Sequence, residues 1–381
     1  MDGKLVLVDG HSILNRAFFG IPDLTNSEGL HTNAVYGFLN ILFKILDEEQ
    51  PDYLTVAFDV HAPTFRHKMY DAYKGTRKPM AEELRQQVPL MKEMLTAMGV
   101  TIVEKEGYEA DDLLGTIAKQ SEAQGLEVSI VSGDRDLLQL ASDHIKIRIP
   151  KTKRTGTEIE DYLAKDVVEK YQVTPLQFID VKALMGDSAD NIPGVPGIGE
   201  KTATALIVSY GSIENAHDHL EEIKPNRAKQ NLSEHYDMAQ MSKELATIEI
   251  HAPIEYSLED AKLGNLFTEE AYLMCKRLEF KNMLSRFDID APKNLAEEHF
   301  TFVTDKKQIS DIFKKAKKAG HIGCCLLPGE GIITEQLSLF EQPKEQQVIE
   351  GMSIAFSEED IYYLSAGTEV SAEELLEEIR E

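Results

Sequence analysis

Cysteine is scarce in this chain: Cys275, Cys324 and Cys325 are the whole complement, and two of them are adjacent. An odd count with neighbouring thiols excludes a disulfide framework and fits a reducing compartment, so the expected location is the cytoplasm. Long apolar runs are also missing. None approaches the roughly 18 residues that a membrane span needs, and the start MDGKLVLVDG leads straight into a strand pattern, not a leader. Short-period repeats and long low-complexity tracts are lacking as well. Positive charge is in deficit, with a formal net charge of −26, which at first argues against a nucleic-acid partner, because phosphate binding calls for a positive surface.

Local distribution qualifies that exclusion. Between His61 and Arg85 lie Arg66, Lys68, Lys74, Arg77 and Lys78, interleaved with Phe65, Tyr70 and Tyr73. A second basic cluster, Lys146, Arg148, Lys151, Lys153 and Arg154, follows the strand-like IKIRIP, while acidity concentrates after Ser357. Either basic run by itself reads first as a solvated face.

The chain is long enough for two domains. Its first half alternates KLVLVDG, AVYGFLNILFKILDEE, DYLTVAFD, LRQQVPLMKEMLTAMG, VTIVE, EADDLLGTIAKQSEAQG and LEVSIVSGD. Strands rich in Val, Leu and Ile alternating with amphipathic helices predict an α/β fold with a mostly parallel sheet covered by helices on both faces. From about Asp161 the pattern turns helical. The expected organisation is an α/β core over 1–170, a helical extension over 171–287, a linker over 288–298 in DIDAPKNLAEEHF, and a second α/β module over 299–381. That module reads as HFTFVTD, KKQISDIFKKAKKAG, HIGCCLL, a loop through Pro328 and Pro343, GMSIAFS, DIYYLSA and a final helix with no stop signal.

Acidic residues mark where these elements end or begin: Asp9, Asp59, Glu109, Asp111, Asp112, Asp134, Asp136, Asp187 and Asp190. In an open α/β sheet, ligands gather outside the carboxyl ends of the strands, so Asp9, Asp59 and Asp134 converge if their strands are neighbours. Two carboxylates about 4 Å apart repel by roughly 4 kcal/mol at an effective dielectric near 20, and a cluster multiplies this. A hard cation relieves it, and Mg²⁺ or Mn²⁺ suits oxygen ligands. Each piece also has a plainer explanation: Glu109, Asp111 and Asp112 as helix caps, Asp134 and Asp136 as turn residues, Asp187 and Asp190 as one exposed helical face. Their joint occurrence in one α/β unit favours a shared metal site.

Gly194, Gly197 and Gly199 precede a helix opening near Glu200, followed by Lys201 and Thr202. Glycines permit close backbone approach, and opening amides favour a phosphate, although the spacing is neither a P-loop nor a dinucleotide fingerprint. Lys74 and Arg77, three apart on a helix suggested by MYDAYKGTRK, face one side and would polarise a phosphodiester. Arg16, beside Phe18 and Phe19, would meet a phosphate or support a base, packing being the plainer role of the two rings. His11 and His61 read as scaffold or surface.

The blocks LVDGHSILNRAFF, VAFDVHAPTFRHKMYDAYKGTRKPMAEEL, GYEADDLLGTIA, VSGDRDLLQL and MGDSADNIPGVPGIGEKTA, spread over Met1 to Arg286, resemble the 5′ nuclease domain of bacterial DNA polymerases I, a branch of the flap endonuclease superfamily. The resemblance implies a PIN-like 5′ nuclease fold, two catalytic Mg²⁺ or Mn²⁺ ions on the nine acidic positions, and Lys74 and Arg77 as catalytic cations. It also implies a helix-hairpin-helix-like element over Gly194 to Thr202 that grips duplex DNA and can hold K⁺, with Arg16, Arg66 and Tyr70 as further DNA contacts. Asp9, Asp59, Glu109, Asp111 and Asp112 would mainly serve one ion, and Asp134, Asp136, Asp187 and Asp190 the other, as in in-line displacement with ions about 3.5–4 Å apart. The implied work is 5′ to 3′ exonuclease and 5′-flap cleavage, removal of RNA primers and DNA repair, with a polymerase domain in cis or trans. The second module resembles the start of an RNase H-like 3′ to 5′ exonuclease domain. It reads HIGCCLLPGEG where that family carries its Asp-x-Glu, so it is expected to be inactive. A silent branched-DNA-binding module and a PIN-like ribonuclease are the alternatives.

Overall fold

Residues 3–153, 156–287, 300–319, 322–335, 344–357, 360–367 and 370–380 are described in a computed structural model. The chain divides into two compact units, Met1–Phe287 and Asp288–Glu381. The expected linker over 288–298 lies outside the described residues, as does Arg154.

In the first unit the order is β1 (Lys4–Asp9), α1 (Gly10–Gly20), α2 (Asn33–Glu49), β2 (Tyr53–Ala57), α3 (Phe65–Met69), α4 (Glu82–Ala97), β3 (Thr101–Val103), α5 (Ala110–Ala123), β4 (Glu127–Val131), β5 (Ile145–Lys153) and β6 (Gly156–Tyr162). Helices α6 (Ala164–Tyr171), α7 (Pro175–Met185), α8 (Glu200–Tyr210), α9 (Ile213–Asp218), α10 (Asn226–Glu234), α11 (Tyr236–Ala246), α12 (Glu269–Arg277) and α13 (Lys281–Leu284) follow. The sheet runs β3-β2-β1-β4-β5-β6. Every pairing is parallel except β5 with β6. The strand β1 therefore sits between β2 and β4, which makes the three Asp-bearing strands neighbours.

Burial explains why these strands read as unbroken apolar runs. Leu5 and Leu7 pack with Leu113, Leu114 and Ile117 of α5, while Val6 and Val8 point to the opposite face and are buried as well. The edge strand β6 was not anticipated. Its TEIEDY alternation is polar enough to pass for a loop, and only antiparallel pairing to β5 reveals it. Carboxylates of α2 and β6 account for part of the second basic cluster: Arg148 is buried against Glu48 and Glu49 of α2 and Asp161 of β6, and Lys146 lies 2.6 Å from Glu49. These cations are neutralised internally.

The second unit contains β7 (Phe300–Val303), α14 (Lys306–Ala319), β8 (Gly323–Glu335), β9 (Lys344–Ala355), β10 (Ile361–Ser365) and α15 (Ala372–Arg380), with sheet order β7-β10-β9-β8. Met352, Ile354 and Leu364 form a core with Ile309, Ile312 and Phe313 of α14. The expected loop at Pro328 is instead part of β8, which absorbs the proline at a register shift on the sheet edge. Cys324 and Cys325 are exposed on this edge strand.

Candidate metal and nucleic-acid site

The parallel strands deliver their last side chains to one end of the sheet. Asp9 closes β1, Asp59 lies just past β2, and Asp134 just past β4. All three line a cleft of about 1760 Å³ together with Asp111, Asp136, Asp187, Asp190, Lys74, Arg77 and Arg16.

Short hydrogen bonds hold the first of these carboxylates. Asp9 accepts from the Ser12 amide at 3.0 Å and from Ser132 Oγ at 2.7 Å. Ser132 Oγ in turn accepts the Asp134 amide at 3.0 Å, and Ser12 Oγ the Gly133 amide at 2.9 Å. Two serines thus stitch the ends of β1 and β4 together. Sequence reading passed over both, since a lone serine after a strand carries no signal of its own. Asp59 caps α5 by accepting the Ala110 amide at 2.8 Å, and its own amide donates to His11 Nδ1 at 3.1 Å. His11 is thus a scaffold residue, as its lack of a ligand partner suggested.

Among the described residues, Asp9, Asp111 and Asp134 form no ion pair with a lysine or arginine, and Asp59 has only His11, 3.6 Å away. Burial, with repulsion from Asp59 and Asp134, pushes the Asp9 carboxyl up to about 7. Burial and the fields of Asp9, Asp134 and Asp59 hold Asp111 well above the usual carboxylate range. Unrelieved repulsion of this kind is what a hard cation removes, and the donors are all carboxylate oxygens. In this conformation no three acidic, histidine or cysteine side chains among the described residues close round a single point. The set is assembled without being drawn together.

The other acidic residues have partners. Glu109 receives Lys74 Nζ at 2.7 Å, and Asp190 receives Arg77 together with Lys74 at 3.8 Å. Tyr73, buried, places its hydroxyl 3.1 Å from Glu109 and 3.2 Å from Asp190. One hydroxyl proton serves one carboxylate at a time, so the tyrosine links the two. Lys182 lies 2.8 Å from Asp136 and bonds Asp187 as well. Burial and the Asp134 charge push Asp136 up to about 7 despite that lysine. Tyr73 was visible only as one aromatic of the basic stretch, not as a link between carboxylates, and Lys182 did not stand out, because it reads as a helical surface charge.

Five expectations change. Asp112 is fully buried and its two oxygens are each 2.8 Å from Arg66, while the amides of Glu109 and Glu249 also donate to it. It is a capping and pairing residue turned away from the cleft. Arg66, expected to face DNA, is buried beside it and also donates to the carbonyls of Leu245 and Thr247. Tyr70 likewise packs against the cluster of Tyr73, Ile192 and Leu245. Lys74 and Arg77 do not share a helix: α3 stops at Met69, Lys74 has φ +55°, and its amide donates to the Asp190 carbonyl. Asp187 and Asp190 also leave the helix, since α7 ends at Met185 with Gly186 as its cap, and residues 187–192 form a tight loop closed by reciprocal Asp187–Ile192 hydrogen bonds. In both cases a turn achieves the convergence that helical spacing had been expected to supply.

The glycines separate as well. Gly194 is buried, donates to Ser242 Oγ at 3.1 Å and has φ +64°; a Cβ there would lie 2.4 Å from the Gly186 nitrogen. It secures the loop carrying Asp187 and Asp190 and is not exposed to a ligand. Gly194→Ala is therefore expected to cost at least about 2 kcal/mol, read as a drop in Tm of several degrees. An unchanged melting curve would contradict the packing argument. Gly197 (φ +78°) and Gly199, which opens α8, are exposed beside Lys201 and Thr202. Arg16 lines the cleft with a buried Nε that has no hydrogen-bond partner, and Gly133 leaves it room, since a Cβ there would lie 3.0 Å from its Nη2. Phe19 next to it meets Phe18 edge to face, with ring centroids 5.1 Å apart, yet remains 77% exposed.

Comparison with known proteins adds an independent line. A model described as 5′-3′ exonuclease, N-terminal resolvase-like domain matches residues 4–172, and one described as 5′-3′ exonuclease, C-terminal SAM fold matches residues 173–269. DNA polymerase I of Bacillus caldotenax is 47% identical over 304 residues, covering 79% of this chain and 34% of the relative. DNA polymerase I of Bacillus subtilis is 47% identical over 288 residues, 76% of this chain and 32% of the relative. The chain spans about a third of the length of these curated relatives. Among solved structures, a bacteriophage T5 flap endonuclease in complex with DNA and metal ions shares the fold, with a TM-score of 0.54, 23% identity, and coverage of 72% of this chain and 99% of that one.

Proposed function

The chain belongs to the 5′-3′ exonuclease family, and from that premise we propose that its first unit is a metal-dependent 5′ to 3′ exonuclease and 5′-flap endonuclease acting on DNA. The observation that carries the reading is the quartet Asp9, Asp59, Asp111 and Asp134, gathered above neighbouring parallel strands, with no lysine or arginine among the described residues paired to it, and facing Lys74, Arg77 and Arg16 across one cleft. Mg²⁺ or Mn²⁺ would be held by that quartet and by Asp136 and Asp187, supplying Lewis-acid activation of water and phosphate. The metal-bound T5 neighbour supports the use of ions.

The chain's own residues do the rest. Lys74 and Arg77, now resting on Glu109 and Asp190, are poised to shift toward a phosphate and neutralise its charge. Arg16 lines the same cleft and would meet that backbone with its outer guanidinium nitrogens, and Phe19 offers an exposed ring on which a base can stack. The exposed Gly197 and Gly199, with the opening of α8 at Lys201 and Thr202, would hold duplex DNA through backbone amides, with K⁺ as a candidate companion ion, giving recognition of shape over sequence. Longer relatives are DNA polymerases I, so primer removal and repair alongside a polymerase domain in cis or trans is the cellular role that fits, with RNA primers among the substrates and the cytoplasm as its place. Among the described residues no helix is long and apolar enough to cross a membrane. The domain limits at 170, 287 and 298, and the inactive exonuclease-like nature of the second unit, belong to the same proposal.

A labelled 5′-flap duplex incubated with Mg²⁺, with and without EDTA, tests this. Cleavage near the junction that EDTA stops is expected; a shifted but uncut duplex would identify a binding module, and cutting confined to RNA a ribonuclease. Lys74→Ala should slow the single-turnover step by roughly 10²-fold, and an unchanged rate would remove Lys74 from the chemistry.

A further inference from the structure

The acidic set is divided by the source of its countercharge. Among the described residues no lysine or arginine is paired to the quartet, and only His11 lies near it, 3.6 Å from Asp59. Asp136, on the turn after β4, and Asp187, after α7, instead share the Lys182 ammonium from the last turn of α7. All three side chains are largely buried, at 15–17% exposure, so this ammonium is not a surface charge that water competes for. It bridges two segments that would otherwise meet as unrelieved anions, with Asp134 close behind Asp136. An ammonium and a divalent ion seek the same oxygens and repel each other, so the two do not occupy one carboxylate pair together.

We propose that Lys182 is a tethered cation that occupies Asp136 and Asp187 until a divalent ion displaces it, so that the two halves of the acidic set fill in separate steps. The inference rests on reading the set as a metal site. It assigns the tighter step to the quartet, which lacks a competitor, and the weaker step to the pair that must first release the lysine. Lys182 is a positioning residue in this scheme: it holds the α7 loop against β4 in the metal-free protein and makes the second ion conditional on supply.

Calorimetric titration of Mn²⁺ into the metal-free full chain reads the steps directly. Two classes of site are expected. Lys182→Met should tighten the weaker class roughly tenfold and leave the tighter one unchanged, while Lys182→Arg, which keeps the charge, should titrate like the wild type. In EDTA Lys182→Met should melt below the wild type, with Mn²⁺ narrowing the gap. Should that variant fail to fold, acylation of wild-type Lys182 followed by mass spectrometry serves instead: little modification without Mn²⁺, and a rise when Mn²⁺ frees the amine. A weaker class unchanged or weakened by Lys182→Met, or acylation indifferent to Mn²⁺, overturns the lysine's role alone. Absence of any Mn²⁺ uptake by the wild type overturns the metal reading with it.

Discussion

Asp111→Asn is expected to lower the single-turnover rate of flap cleavage by roughly 10³-fold or more while making the metal-free protein more stable. Both results follow from one fact. Asp111 is half-buried beside Asp9, Asp59 and Asp134, and among the described residues no lysine or arginine is paired to it. With metal bound, its loss removes a ligand; without metal, its loss removes a repelled anion, the trade-off between stability and activity common at functional sites. The pH dependence has a definite sign. Burial and like charges raise the folded-state pKa of Asp111 and of Asp9, the latter to about 7, above the unfolded value of 3.8. A raised carboxyl contributes its full stability below the unfolded value and loses it as pH climbs through the folded one. In EDTA the wild type should therefore weaken between about pH 4 and 7, and Asp111→Asn should show a smaller loss. Thermal melts at pH 5 and pH 8 with EDTA check the stability claim, and quenched-flow cleavage checks the rate. A variant that cuts at the wild-type rate, or melts earlier than wild type at pH 8 in EDTA, would take Asp111 out of the metal site.

Arg66→Met is expected to unfold the first unit far more readily, by about 3–5 kcal/mol, because it strands a fully buried Asp112 carboxylate. The guanidinium joins three segments: α3, which carries it, the first turn of α5, and the C-terminal end of α11 through the carbonyls of Leu245 and Thr247. For a unit of this size such a loss corresponds to a Tm lower by roughly 10 °C. The measurement separates two roles that sequence could not. A DNA-contacting Arg66 would leave Tm unchanged and reduce the salt dependence of flap binding by one phosphate contact. A structural Arg66 lowers Tm and leaves that slope alone. Asp112→Asn should be milder, since an amide keeps one acceptor for Arg66.

What was legible in the sequence was whatever depends on period and position along the chain. The unbroken apolar runs of β1, β2 and β4 fixed a buried parallel sheet, and the rule that ligands gather at strand ends then located Asp9, Asp59 and Asp134. Glu109 at the cap of α5 and Asp111 in its first turn were equally visible. Turn-borne residues were less so. Lys74, Arg77, Asp187 and Asp190 converge, but through a positive-φ turn and a hydrogen-bonded loop where a helical spacing was expected.

Partner choice was not legible at all. Asp111 and Asp112 are adjacent, identical in type and on one helical turn, yet one faces the cleft and the other accepts two bonds from a buried arginine. The 3.6-residue period turns neighbours about 100° apart, and only packing of α5 against the sheet and the chain after α11 says which direction is solvent. The same holds for cations. Sequence counts Arg66, Lys74 and Lys182 as equal charges, whereas the tertiary structure buries the first in a core ion pair, rests the second on Glu109 and places the third between Asp136 and Asp187. The sequence determined that carboxylates would crowd at one edge of the sheet, because strand direction is a local property. Which of them keep a protein countercharge and which need a metal was decided only by three-dimensional contact, since electrostatic pairing acts through space and not along the chain.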